Sequence, residues 1–220
     1  MLMKETIITG TQSKTADCYA INTMGIPSLD LMENASQKVA KEILAGCDTD
    51  ARILICCGVG NNGADGVCIG RILLEHGCDP EVVICGSEEK QTDEFCFQLN
   101  GFASRGGRAH RYAGEERFDS CDLIVDAVFG IGLHRTVEGR YADFIKAASA
   151  TSKSKTVAVD IPSGIDADTG ELMGCGIKAD LTVTFGINKT GLTINDGPAF
   201  AGDIKIVDIG IPEEAYRSVM

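Results

Sequence analysis

Short, almost wholly apolar runs ending in glycine alternate along this chain with longer segments of helical periodicity, and that alternation restricts the fold more than any other feature. ARILICCG, PEVVICG, CDLIVDAVFG and KTVAVDIPSG are too short for helices and carry few polar residues, which marks them as strands buried on both faces. Between them lie GNNGADGVCIGRILLEHG, KQTDEFCFQLNGFASRGG and GRYADFIKAASA. The first is a glycine turn that becomes helical from about Ala64 to His76, and the other two read as helices. Such spacing implies right-handed βαβ units and a mostly parallel sheet. Two helices precede the first strand, a short one between Thr11 and Ile21 and a longer one that Ser28 caps and Gly46 ends. ADLTVTFG and DIKIVDIG add two strands with no strong helix between them. The expected architecture is α/β: a three-layer αβα sandwich with a Rossmann-like, mostly parallel sheet, two N-terminal helices and an irregular C-terminal portion. Without a linker, repeat or low-complexity stretch, residues 1–220 read as a single domain.

Composition narrows the function. Lys and Arg total 20 against 32 Asp and Glu, a formal charge of −12, which is the wrong balance for holding nucleic acid by its phosphates. No 18 apolar residues run together and MLMKETIITG lacks the pattern of a secretory leader, so neither a membrane span nor export is expected. Ten cysteines stand mostly alone inside apolar segments, with no C-x-x-C. They read as small core residues in a reducing cytoplasm and not as a disulfide scaffold or a zinc site. The 26 glycines outnumber the 5 prolines and gather at the ends of the apolar runs, where an α/β sheet binds ligands.

Three loops follow carboxyl ends of strands and should meet at one site: Gly58 to Gly66, Asp126 to Thr136, and Asp160 to Asp168. Gly58, Gly60 and Gly63 make a G-x-G-x-x-G turn between strand and helix, suited to a phosphate at the helix N-terminus. Serving only to pack strand on helix is the structural alternative. The next strand ends in Gly86 rather than the acid that ordinary NAD binding uses on the ribose, while Asn61, Asn62 and Asp65 crowd the turn with groups suited to hydrogen bonding or cation coordination. Asp126 lies inside an apolar run, where a carboxylate must be paired, hydrogen-bonded or metal-bound; a structural carboxylate capping nearby N–H groups is the other reading. Gly130 and Gly132 allow close backbone approach, and His134 and Arg135 could reach an anion, although His134 also fits a solvated loop residue. Asp160 ends its strand and could act as general acid or base. Asp166 and Asp168 read as turn formers or solvated charges. Ser163 lacks a G-x-S-x-G setting and suits cation ligation better than nucleophilic attack. All the ligands offered are hard.

On these residues the chain resembles the NAD(P)H-hydrate epimerase family, the YjeF N-terminal domain. The similarity runs through GIPSLDLMENA (Gly25 to Ala35), GVGNNGADG (Gly58 to Gly66), VDAVFGIGLHRTVEG (Val125 to Gly139), VAVDIPSGIDADTG (Val157 to Gly170), ADLTVTFGINKTGL (Ala179 to Leu192) and VDIGIP (Val207 to Pro212). It departs at Ala64, where a second glycine is common, and at Ile131, where threonine is common. The resemblance implies an isomerase that interconverts the R and S forms of NADHX and NADPHX, hydrated at C6 of the nicotinamide ring, for an S-specific dehydratase. It also implies substrate binding by Asn61, Asn62, Gly63, Ala64 and Asp65, by Gly130, Ile131, Gly132, Leu133, His134, Arg135 and Thr136, and by Asp160. One potassium ion per subunit at Asn62, Asp126 and Ser163, a homodimer, and coupling to an ADP- or ATP-dependent dehydratase, in some relatives fused behind this domain, complete the implied set. Asp160 is the expected catalytic residue. An NAD(P)-dependent oxidoreductase and a non-catalytic nucleotide-binding or interaction module are the alternative readings.

Overall fold

The computed structural model describes residues 6–116, 118–151 and 153–220. A two-residue strand β1 (Ile7–Ile8) leads into α1 (Gly10–Asn22) and α2 (Ser28–Gly46). The alternating body follows as β2 (Ile53–Cys57), α3 (Asn61–Glu75), β3 (Glu81–Ile84), α4 (Asp93–Ser104), β4 (Arg108–Arg111), β5 (Leu123–Ala127), α5 (Gly139–Ser149) and β6 (Lys155–Val159). The C-terminal portion holds β7 (Leu181–Phe185), β8 (Asn188–Lys189), α6 (Gly197–Ala201), β9 (Asp203–Val207) and α7 (Glu213–Arg217).

Seven strands form one sheet in the order β4-β3-β2-β5-β6-β7-β9, and every pairing in it is parallel. The chain starts in the middle at β2, runs outward to β4, then returns to β5 and runs out the other way. The crevice between β2 and β5 is therefore the topological switch point, where open α/β sheets take their ligands. One core, built on Ile55, Val125, Val159 and Val183, lies under α1 to α4. The other, around Leu54, Ile124, Phe144 and Ile145, lies under α5. Alternate residues of each strand feed the two faces, giving the expected three layers.

Several local readings change. Arg108–Arg111 is an edge strand whose residues are exposed or half-exposed, so it lacks the apolar run that marks its neighbours. Helix α3 begins at Asn61, three residues earlier than its apolar periodicity suggests. Pro27 occupies the N-cap of α2, and Ser28 Oγ instead donates to Glu94 at 3.2 Å. All ten cysteines are free, but only Cys56, Cys57, Cys68, Cys78 and Cys85 are buried. Half, rather than most, are core residues. Burial pushes the Cys68 thiol up to about 12, which keeps it protonated and unreactive.

Candidate active site

The turn after β2 is glycine-rich for reasons that differ from residue to residue. A Cβ on Gly58 would lie 2.2 Å from the Val128 carbonyl oxygen, and one on Gly63 would lie 2.1 Å from the Gly58 carbonyl oxygen. These two glycines let the β2 turn, the β5 loop and the start of α3 touch backbone to backbone. Gly60 has nothing within 4 Å of its would-be Cβ and instead lines a cavity of about 480 Å³ over the switch point. Packing accounts for Gly58 and Gly63; an open approach to the first turn of α3 accounts for Gly60. The unpaired N–H groups of a 15-residue helix make that approach favourable to an anion.

Beneath this floor, Asp126 of β5 is fully buried. Its Oδ1 accepts from Ser163 Oγ at 2.5 Å and its Oδ2 from Ser163 N–H at 2.7 Å. Ser163 Oγ in turn accepts from Phe129 N–H at 2.8 Å, tying the loops after β5 and β6 together. Burial pushes the Asp126 carboxyl up to about 6, against the lowering effect of these donors. Among the described residues no cationic side chain pairs with it. Asn62 packs its amide against Gly130, and its Nδ2 is buried with no acceptor. An amide left unpaired inside a protein costs about 1–3 kcal/mol, and rotating it by half a turn would present its oxygen instead. Among the described residues no three His, Cys, Asp or Glu side chains gather as a metal site. The donors available are one carboxylate, one hydroxyl, one amide and backbone carbonyls. Such a set suits a hard cation of low charge.

Asp160 sits at the end of β6 with φ +66°, a left-handed conformation that L-residues rarely adopt. Three donors converge on its Oδ1: Lys189 Nζ at 2.5 Å, Phe185 N–H at 3.0 Å and Thr184 Oγ1 at 3.1 Å. Lys189 is fully buried and also donates to Thr184 Oγ1 and the Phe185 carbonyl, so its ammonium is saturated. Pairing of β8 with β1, Lys189 beside Ile8, fixes its backbone. Asp160 Oδ2 has no partner among the described residues, and Asp160 lines the cavity. Asp17 of α1 and Asp65 of α3 line the same cavity. Burial pushes Asp17 up to about 6, opposed by Lys189 and reinforced by Asp160. Asp65 is pushed well up, again by burial first and then by Asp160 and Asp17.

The cavity thus gathers Asn61, Asn62, Asp65, Gly130, Ile131, Gly132, Leu133 and Asp160. Gly63 and Ala64 are buried in α3 outside its wall, while Asp126 and Ser163 lie below. Arg135 and Thr136 line a separate depression of about 240 Å³ with Leu133 and Tyr141. His134 is exposed, with Nδ1 3.4 Å from Asp166 Oδ2. Asp166 is buried rather than solvated. Burial would raise its carboxyl, but the N–H groups of Thr169 and Asp168 outweigh that and hold it low. Lys189 and Asp17 are site residues that sequence reasoning missed. A lone lysine within the glycine-bounded TFGINKTGL was the available signal for the first.

Residues 28–191 match the family described as YjeF-related protein N-terminus. An NAD(P)H-hydrate epimerase of Limosilactobacillus fermentum is 41% identical over 206 residues, covering 94% of this chain and 98% of the relative. One from Limosilactobacillus reuteri is 41% identical over 212 residues, covering 94% and 96%. Another from Leuconostoc citreum is 39% identical over 210 residues, covering 94% and 93%. The crystal structure of yeast ynu0, YNL200c, shares the fold with a TM-score of 0.83 at 19% identity, covering 97% of this chain and 93% of that one. With three-quarters of its length inside the family match and relatives aligned nearly end to end, the chain belongs to the YjeF-related protein N-terminus family.

Proposed function

We propose that this protein is an NAD(P)H-hydrate epimerase, interconverting the R and S forms of NADHX and NADPHX at C6 of the nicotinamide ring. The observation that carries the reading is the switch-point cavity, which sets the open Gly60 turn of α3 beside the Asp160–Lys189 pair, in a chain aligned end to end with relatives of that name. The turn takes the pyrophosphate through helix N–H groups, leaving the hydrated ring near β5 and β6. Carbon C6 carries a hydroxyl and the ring nitrogen. Inversion proceeds either by loss of water to an iminium-like species and re-addition on the other face, or by ring opening and reclosure. Both routes move a proton out and back with no change of redox state. Asp160 exchanges that proton through Oδ2 while Lys189, Thr184 and Phe185 hold Oδ1 in place. Asn62, Asp126 and Ser163 would hold a potassium ion, which when bound supplies positive charge against Asp126 and steadies the two loops. We read the protein as a cytoplasmic homodimer working with an ADP- or ATP-dependent dehydratase. No helix among the described residues is long and apolar enough to cross a membrane.

The test is incubation of purified protein with R-NADHX, following the S form chromatographically with and without potassium. Accelerated equilibration of the two forms is expected. Hydride transfer from NADH to carbonyl substrates, with no epimer exchange, would instead favour the oxidoreductase reading.

A further inference from the structure

Across the switch point from Asp160, a second cavity of about 350 Å³ opens at the carboxyl ends of β3 and β4. Lys90, Arg111 and Arg140 line it together with Gly86, Ser87 and Tyr141, and no carboxylate is among its lining residues. In a chain of net charge −12 this is a local concentration of positive charge. Lys90 makes no side-chain hydrogen bond or ion pair among the described residues. Arg111 donates to the Gly86 carbonyl and is held at 2.9 Å by Glu88, whose side chain is 78% exposed at the rim. Arg140 donates to the Tyr112 carbonyl.

Two observations connect this cavity to the substrate. Tyr141 lines both cavities and Val59 lines the larger one. A Cβ on Gly86 would lie 2.4 Å from Tyr141 Oη and 2.8 Å from the Val59 methyls, so Gly86 is the ridge between them. The same crowding excludes an acid from the strand end where dinucleotide-binding sheets hold a ribose 2′-hydroxyl; cations near that point accommodate a 2′-phosphate instead. Adjacent strands are about 4.8 Å apart. A pyrophosphate at the β2 turn with the nicotinamide toward β6 therefore leaves the adenosine ribose over β3 and β4, where these cations stand.

We propose that the Lys90, Arg111 and Arg140 cavity receives the 2′-phosphate of NADPHX and makes the enzyme favour it over NADHX. This rests on the epimerase reading, and the test separates the two. Initial rates on R-NADHX and R-NADPHX are compared for the wild type, Lys90→Gln, Arg111→Gln and the double variant. Each single substitution is expected to lower the NADPHX to NADHX ratio of kcat/KM about tenfold, as loss of one charge-assisted contact does. Independently of turnover, adenosine 2′,5′-bisphosphate is expected to bind the wild type at least tenfold more tightly than 5′-AMP, an advantage the double variant loses. Because Lys90 is exposed, Lys90→Gln keeps the fold. A ratio unchanged within twofold in both single variants, or equal binding of the two nucleotides to the wild type, overturns the proposal. A wild type that epimerises neither substrate but still prefers the bisphosphate overturns the epimerase reading and leaves the phosphate site standing.

Discussion

Asp126 and Asp160 end neighbouring strands of one sheet, and both are buried, yet their surroundings are opposite. Asp126 is wrapped by neutral donors, Ser163 Oγ, Ser163 N–H and a more distant Val128 N–H at 3.4 Å, with no counterion among the described residues. Asp160 has a buried ammonium on Oδ1 and itself lines the cavity. Hydrogen bonds orient a charge, but an ion pair neutralises it. The first carboxylate is thus built into the loop scaffold, and in the proposed site the bound cation supplies its positive charge. The second has its charge balanced by Lys189, and in the proposed mechanism it is the group that exchanges the proton.

Removing the counterion should erase the contrast, and it carries the largest expected effect. Lys189→Met leaves Asp160 buried with two neutral donors and no counterion; breaking a buried ion pair costs about 3–5 kcal/mol. Urea denaturation should show that loss, together with an epimerisation rate reduced at least a hundredfold. Normal stability and rate would mean that Asp160 does not depend on its partner.

The contrast sharpens at Asp126. Asp126→Asn keeps the shape and removes the charge, so the dependence of epimerase activity on potassium should flatten and apparent potassium affinity should fall by about 10–100-fold. An unaltered potassium titration would remove the cation from this site.

The smallest effect concerns the carboxylate opposite Asp160. Because burial raises Asp17 to about 6, the folded protein holds a proton between about pH 4 and 6 that the unfolded chain has released. Its contribution to stability therefore falls as pH rises through that window. Asp17→Asn abolishes the slope. Relative to the wild type, the variant should gain stability from pH 4 to 7, by roughly 3 kcal/mol at most. Parallel urea midpoints at pH 4.5 and 7.5 would show that Asp17 is not strained in this way.

The fold was legible because β2, β3, β5 and β6 each centre on a short apolar run, and a parallel sheet covered on both faces allows little else. Strand β4 was not, since an edge strand reading RAHR needs no apolar face. Asp126 stood out as a carboxylate inside VDAVFG. Its bonding to Ser163 could not be read, because 37 residues separate them. The same holds for Lys189, which meets Asp160 across 29 residues through the β1 and β8 ladder. Sequence patterns bring the three strand-end loops to one edge of the sheet; they do not report which side chains bond to each other there. That is why the glycine turn was visible and the ion pair behind it was not.

In the proposed mechanism Asp160, held by Lys189 at the cavity wall, moves the proton of epimerisation. The direct measurement is the rate of S-NADHX formation from R-NADHX by the wild type and by Asp160→Asn, at saturating potassium and with both proteins confirmed folded. The expected result is rapid equilibration by the wild type and a rate at least a hundredfold lower in the variant. Equal rates would contradict it.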